Sequence, residues 1–192
     1  MKKQNLLVAI TGASGAGYAR KLLRSIPQES YVIHLMSSEA GRLVYELETG
    51  VALSEDLPAH VLIYEESDFT APFASGSFPC AGMVIVPCTM GTLGAIAVGL
   101  SQSLIHRAAD VCLKERRPLI VVPRETPLNR VHLSNMLKVA EAGAIILPAM
   151  PGFYHRPRSV EDIFDFVVAR ILDQLGIEHG LSKPWMGLES GS

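Results

Sequence analysis

Six short apolar runs, at 5–10, 31–36, 60–64, 82–87, 118–123 and 144–148, alternate with segments of helical periodicity at 15–25, 39–49, 91–98, 103–115, 132–141 and 160–175. No other feature of the chain limits its fold as much. A strand that is apolar on both sides needs cover on both, and a crossover of helix length joins such strands in parallel. The expectation is an α/β chain with a doubly wound, mostly parallel sheet, a Rossmann-like or flavodoxin-like three-layer sandwich. No linker or low-complexity stretch interrupts residues 1–192, which read as a single domain. Residues 180–192 read as a C-terminal tail whose Trp185 docks on the body or on a neighbour.

Charged residues are only 19% of the chain against 48% apolar ones, with a mean hydropathy of +0.27. A domain with so little charge hides part of its surface against copies of itself, so a homo-oligomer is expected. The net charge of −2 offers no basic field for nucleic acid. No apolar run is long enough to span a membrane and no leader with a cleavage site is recognisable, which predicts a cytoplasmic protein. Cys80, Cys88 and Cys112, odd in number and without C-x-x-C spacing, read as reduced and mostly buried thiols rather than a disulfide framework or zinc site.

In an open sheet of this class, ligands bind beyond the carboxyl ends of the strands. The first loop there is Thr11-Gly12-Ala13-Ser14-Gly15-Ala16, whose small side chains let an anion approach the N–H groups opening the next helix. It is neither the G-x-G-x-x-G of dinucleotide folds nor a P-loop, and Ala16 breaks the G-x-S-x-G of a hydrolase elbow. A phosphate cradle and a turn needed only for strand–helix packing are both open. After the second strand, Ser37 and Ser38 either cap a helix or touch a ligand. Glu48 near the end of that helix meets the negative end of its dipole and needs a partner or solvent. Cys88-Thr89-Met90-Gly91-Thr92 again places small and hydroxyl residues at a helix start. The loop 74–78, "ASGSF", has the composition of a segment that closes over a ligand or of a plain surface loop.

Arg107, Val111 and Lys114 fall at i, i+4 and i+7, so two cations share a helix face and can present charge to a phosphorylated ligand. Lys114 to Arg117 equally suit a solvated helix end. After the next strand, Arg124 offers a forked phosphate donor, with Glu125 beside it as a carboxylate of tunable proton affinity. Tyr154 supplies a ring wall and a hydroxyl, or a core aromatic. In the last helix Ile163, Phe166, Val167, Ile171 and Gln174 trace the expected core face, with Arg170 inside it. An arginine there calls for an anion from a ligand or neighbour, or must snorkel to the rim.

In order along the chain, "TGASGA", "SSEAG", "ETG", "ASGSF", "PCTMGTL", "RAADVCLKERRPLIVVPRETPL", "HLSNM" and "GAIILPAMPGFYHRP" closely resemble the UbiX-type flavin prenyltransferases. The blocks A-S-A-N-T and P-x-M-N-x-x-M-W of the related flavin-containing cysteine decarboxylases are missing. The resemblance implies an enzyme that joins the prenyl group of dimethylallyl phosphate to reduced FMN, releasing phosphate and giving prenylated FMN for a UbiD-type decarboxylase. It implies a dodecamer with sites at subunit junctions. By this resemblance Gly12, Ala13, Ser14, Ser38, Thr89, Met90, Gly91, Thr92 and Arg124 hold FMN. Tyr154 and Arg170 hold the prenyl phosphate, with Arg107 and Lys114 near it, while Glu48 and Glu125 manage protons and the departing phosphate. Thr89 stands where many members have serine and keeps the hydroxyl. No metal is expected, since neither an Asp-rich Mg²⁺ motif nor a zinc ligand cluster is present in the sequence. The rival functions are an FMN-dependent decarboxylase of the same superfamily and a non-catalytic FMN carrier.

Overall fold

The structure is a computed structural model that describes residues 3–182; Trp185 and the rest of the expected tail past 182 lie outside the described residues. Six strands, β1 (Gln4–Ile10), β2 (Tyr31–Ser37), β3 (Val61–Glu65), β4 (Met83–Cys88), β5 (Leu119–Pro123) and β6 (Ile145–Ile146), form one sheet in the order β3-β2-β1-β4-β5-β6. Every pairing is parallel. The helices are α1 (Ala16–Ser25), α2 (Glu39–Thr49), α3 (Met90–Ala97), α4 (Leu104–Lys114), α5 (Arg130–Glu141) and α6 (Val160–Leu175).

Alternation along β1 divides the core in two. Leu6, Val8 and Ile10 meet Leu22 and Leu23 of α1, Tyr45 of α2 and Val168 and Ile171 of α6 on one face. Leu7 and Ala9 meet Leu93 of α3, Ala108 of α4 and Val139 of α5 on the other. Both helical layers are therefore specified by the two-residue period of one central strand.

Two strands depart from expectation. The run 60–64 was expected as a buried strand, but β3 is a sheet edge with Leu62 and Ile63 exposed, so only one of its sides has a neighbouring strand. The run 144–148 yields only two paired residues: the chain keeps to β5 through Leu147 N–H to the Val121 carbonyl at 2.8 Å and Ala149 N–H to the Pro123 carbonyl at 3.2 Å, but Pro123 has no N–H to return the next bond. Expected helix ends agree with the observed ones to within two residues.

The strand order reverses direction between β1 and β4, which opens a crevice at their carboxyl ends. Pro87 breaks the β4 ladder there, where the register against β5 slips between Ile85 and Cys88. The Pro87 carbonyl faces β1 instead and accepts both the Thr11 N–H, at 3.2 Å, and the Thr11 hydroxyl, at 2.9 Å.

Candidate active site

Thr11 is buried and fastens the first and third loops together: besides its bonds to Pro87, its Oγ1 accepts the Thr89 N–H at 2.8 Å. Among the loop residues it is the one that carries the geometry of the crevice, although its side chain was not singled out in the sequence. Thr89 in turn caps α3, its hydroxyl accepting from the Thr92 N–H at 3.1 Å, and Ser38 caps α2 through Gly41 N–H at 3.0 Å.

Packing explains much of the poverty of side chain in the first turn. A Cβ on Gly12 would lie 2.5 Å from the Cβ of Ala40, and one on Gly17 would collide with the Phe164 ring of α6. Gly15 has φ +118°, a left-handed conformation that side chains oppose.

The helix-start donors of α1 are also engaged by the chain itself. Glu48 Oε2 accepts the Gly15 N–H at 2.9 Å and the Ala16 N–H at 2.7 Å. A carboxylate at the unfavourable end of α2 thus finds its partner at the favourable end of α1. Burial raises its pKa, but the Ser14 hydroxyl, these two N–H groups and the Arg124 charge outweigh that and hold it below the ordinary carboxylate range. Arg124 joins the same group, its Nε donating to the Ser14 carbonyl at 3.0 Å. The chain itself brings Ser14, Glu48 and Arg124 together. Glu125, next along, is exposed and accepts the N–H of Thr126 at 2.9 Å.

At the third loop a cavity of about 740 Å³ opens, lined by Ser38, Gly91 and Thr92 among the expected residues. Glu66, Ser67, Gln102, Ser103 and His106 complete much of its wall. None of these five was picked out in the sequence, because nothing in their spacing marks them. His106 is the informative one: its Nδ1 is buried without a hydrogen-bond partner among the described residues, and burial lowers its pKa against the opposing pull of Glu66. A Cβ on Gly91 would meet nothing nearer than Thr89 Oγ1, 3.9 Å away. Room over Gly91, an unmet imidazole nitrogen, the Thr92 and Ser103 hydroxyls and a volume in the range of small-molecule sites fit a polar, ring-bearing ligand such as FMN.

The cations of α4 are placed differently from one another. Arg107 Nε donates to the Ala74 carbonyl at 3.0 Å and Nη1 pairs with Asp110 at 3.0 Å. Lys114 ends the helix about 10 Å further along its axis, at the amino edge of the sheet, where it pairs with Glu115. A single chain does not bring Lys114 to Ser14, Glu48 and Arg124. The 74–78 loop is tied down, not free: Arg107 holds Ala74, and Arg117 donates to the carbonyls of Gly76 at 2.6 Å and Phe78 at 2.7 Å.

Tyr154 and Arg170 share a second cavity, of about 310 Å³, with His155, Asp162 and Phe166. The expectation that Arg170 lies in the core face of α6 is corrected. That face is Val167, Val168, Ile171 and Leu172, turned by roughly 100° from the anticipated stripe, and Arg170 is 52% exposed and paired with Asp173. Gln174 is likewise exposed. Ile163 and Phe166 lie to one side of the buried arc and are only partly covered, which is what made the stripe look shifted.

A family model described as Flavoprotein matches residues 1–172. Flavin prenyltransferase UbiX of Halalkalibacterium halodurans is 49% identical over 93% of this chain and 91% of its own length. The crystal structure of AnUbiX (PadA1) in complex with FMN and dimethylallyl pyrophosphate superposes with a TM-score of 0.93 at 41% identity, covering 98% of this chain and 100% of that one. That of a dodecameric FMN-dependent UbiX-like decarboxylase from Escherichia coli O157:H7 gives 0.91 at 42% identity, over 96% and 100%. With a crevice of this construction and relatives this close along nearly the whole chain, the protein belongs to the Flavoprotein family and, within it, to the UbiX flavin prenyltransferases.

Proposed function

We propose that this protein transfers the dimethylallyl group of dimethylallyl phosphate to reduced FMN, releasing phosphate and prenylated FMN, which a UbiD-type decarboxylase then takes up. The observation that carries this is the cavity over Gly91 with its unmatched His106 Nδ1, in a chain that superposes on a relative bound to FMN and a prenyl donor. Bound reduced FMN would supply the electron-rich ring that captures the allyl group. The chain's own residues do the rest.

Gly12, Ala13, Ser14, Ser38, Thr89, Met90, Gly91, Thr92 and Arg124 would hold the flavin, with the donors of the loops after β1, β2, β4 and β5 facing one crevice. Allylic C–O cleavage builds negative charge on the departing phosphate, and preorganised cations stabilise it without reorganising at the moment of reaction. Arg170, Tyr154, Arg107 and Lys114 would serve there. Since Lys114 stands at the far end of α4 from Glu48 and Arg124, its part would be played in a neighbouring subunit's site, which suits a homo-oligomer, proposed as a dodecamer. Exposed Leu43, Leu47, Val131, Leu133 and Leu137 give such an assembly apolar surface to cover. Among the described residues no helix is long and apolar enough to cross a membrane; a cytoplasmic location is part of the proposal, as is a single domain over 1–192.

Glu125 would take the proton lost from the ring carbon as the new ring closes, its carboxylate oriented by the Thr126 N–H. Glu125→Gln is therefore expected to stall after the first bond. Mass spectrometry of quenched reactions should show a prenylated but unclosed flavin accumulating, and normal final product from this variant would remove the assigned role.

One anaerobic assay tests the whole proposal: mix the protein with reduced FMN and dimethylallyl phosphate, then weigh the extracted flavin. A gain of one prenyl unit supports it. Unchanged flavin together with carbon dioxide release from a carboxylic acid would make it a decarboxylase, and unchanged flavin alone a carrier.

A further inference from the structure

At the opposite, amino edge of the sheet, two of the three cysteines meet. Cys80 lies in the loop just before β4 and Cys112 in the last turn of α4, and both pack into the same apolar layer on one face of the sheet. Arg117 holds this corner: its N–H donates to the Cys112 carbonyl at 2.8 Å, and its Nη1 reaches Cys80 Sγ at 3.6 Å while also binding the Phe78 carbonyl. Cys112 is fully buried, whereas Cys80 is half-buried and opens into a cavity of about 350 Å³ lined by Lys3, Gln4, Asn5, Pro79 and Ala81. The charged groups facing it, Arg117 and Lys3, are both cationic.

These features divide labour between the two sulfurs. The Cys112 thiol donates to Cys80, and together with Arg117 and Gly82 it overcomes burial to bring the Cys80 pKa down to about 6. The Cys112 thiol is pushed up by its contact with Cys80 and by burial. An accessible thiolate with a protonated thiol directly behind it is the arrangement of an attacking and a resolving cysteine. Cys88, buried on β4 with its thiol pushed up by burial, has no such neighbour among the described cysteines and serves as an internal control.

We propose that Cys80 and Cys112 are a peroxide-reactive thiol pair, separate from the flavin site by about 20 Å of β4. The Cys80 thiolate attacks one oxygen of hydrogen peroxide, so that an S–O bond forms, the O–O bond breaks and hydroxide leaves, taking a proton to become water. The Cys112 sulfur then attacks the Cys80 sulfur; the S–S bond forms, the S–O bond breaks, and the oxygen departs with the Cys112 proton as a second water. Two thiols and one peroxide give one disulfide and two waters, a two-electron oxidation.

The test uses the full chain, reduced and then freed of reductant, with equimolar hydrogen peroxide. The intact mass should fall by about 2 Da, tryptic peptides carrying residues 80 and 112 should emerge joined, and dithiothreitol should restore both. In Cys112→Ser the reaction should stop at a Cys80 sulfenic acid that dimedone labels, and Cys80→Ser should consume peroxide at least tenfold more slowly. With iodoacetamide at pH 7, Cys80 should react at least tenfold faster than Cys88. The proposal is overturned by an unchanged mass with no dimedone label, by a disulfide between two chains or involving Cys88, or by Cys80 running on to sulfinic acid while Cys112 stays a thiol.

Discussion

Replacing Glu48 by glutamine is expected to lower flavin prenylation by about 100-fold while the thermal midpoint moves by no more than about 2 °C. The two effects separate because Glu48 is exposed: its bonds to Gly15 and Ala16 lie near water, which limits what they add to stability. Its place at the start of α1, beside Ser14 and Arg124, is where a full negative charge matters for chemistry. Glutamine keeps the shape and one acceptor but loses the charge that balances Arg124 and the α1 dipole. Steady-state assays and differential scanning fluorimetry on the same preparation check the split. Equal losses in both would reduce Glu48 to a structural tie. The sign of its pH dependence follows from a depressed folded pKa: its contribution is complete above the unfolded value of about 4.3 and is lost as pH falls through the lower, folded one.

Asp56→Ala should give the largest loss of stability, about 3 kcal/mol, or a midpoint lower by about 6–12 °C. The Asp56 carboxylate is only 8% exposed and collects three donors: the Tyr45 hydroxyl at 2.7 Å, Arg20 Nη2 at 3.2 Å and Arg24 Nη2 at 2.5 Å. Removing it leaves two guanidinium groups without their counter-charge and the hydroxyl of fully buried Tyr45 without an acceptor. Both arginines are partly exposed and can turn to water, which keeps the figure at the low end for a buried pair. Tyr45→Phe, which deletes one bond and no charge, should cost about 1 kcal/mol. Burial raises the Asp56 pKa, but Tyr45 and the two arginines outweigh it and depress it. The gap between wild type and Asp56→Ala should therefore be full above about pH 4 and narrow as pH falls through the folded value. A gap that widens in acid would contradict this account.

The elements were legible where one physical rule governs a stretch. The two-residue period of β1 and the helical periods of α1 to α5 survive in the sequence because each side of these elements meets a single environment. β3 and β6 were overread, since apolar content alone does not say whether a strand has neighbours on both sides. Of the site, the loops could be located from strand ends, but the partners within them could not. Glu48 and the Gly15 N–H are brought together by the α1–α2 crossing, and His106 owes its standing to a cavity that no local pattern announces. Arg170 was misplaced because Ile163 and Phe166 weighed in the hydrophobic pattern as if fully covered.

The collision awaiting any side chain at Gly17 has a consequence for inheritance. Residue 17 belongs to the first helix and Phe164 to the last, yet a Cβ at the one would fall in the volume of the other's ring. A methyl group gained at the first is tolerable only in a lineage that has already trimmed the ring at the second. Across descendants of this gene the two codons should drift as a couple, although they stand far apart in the sequence.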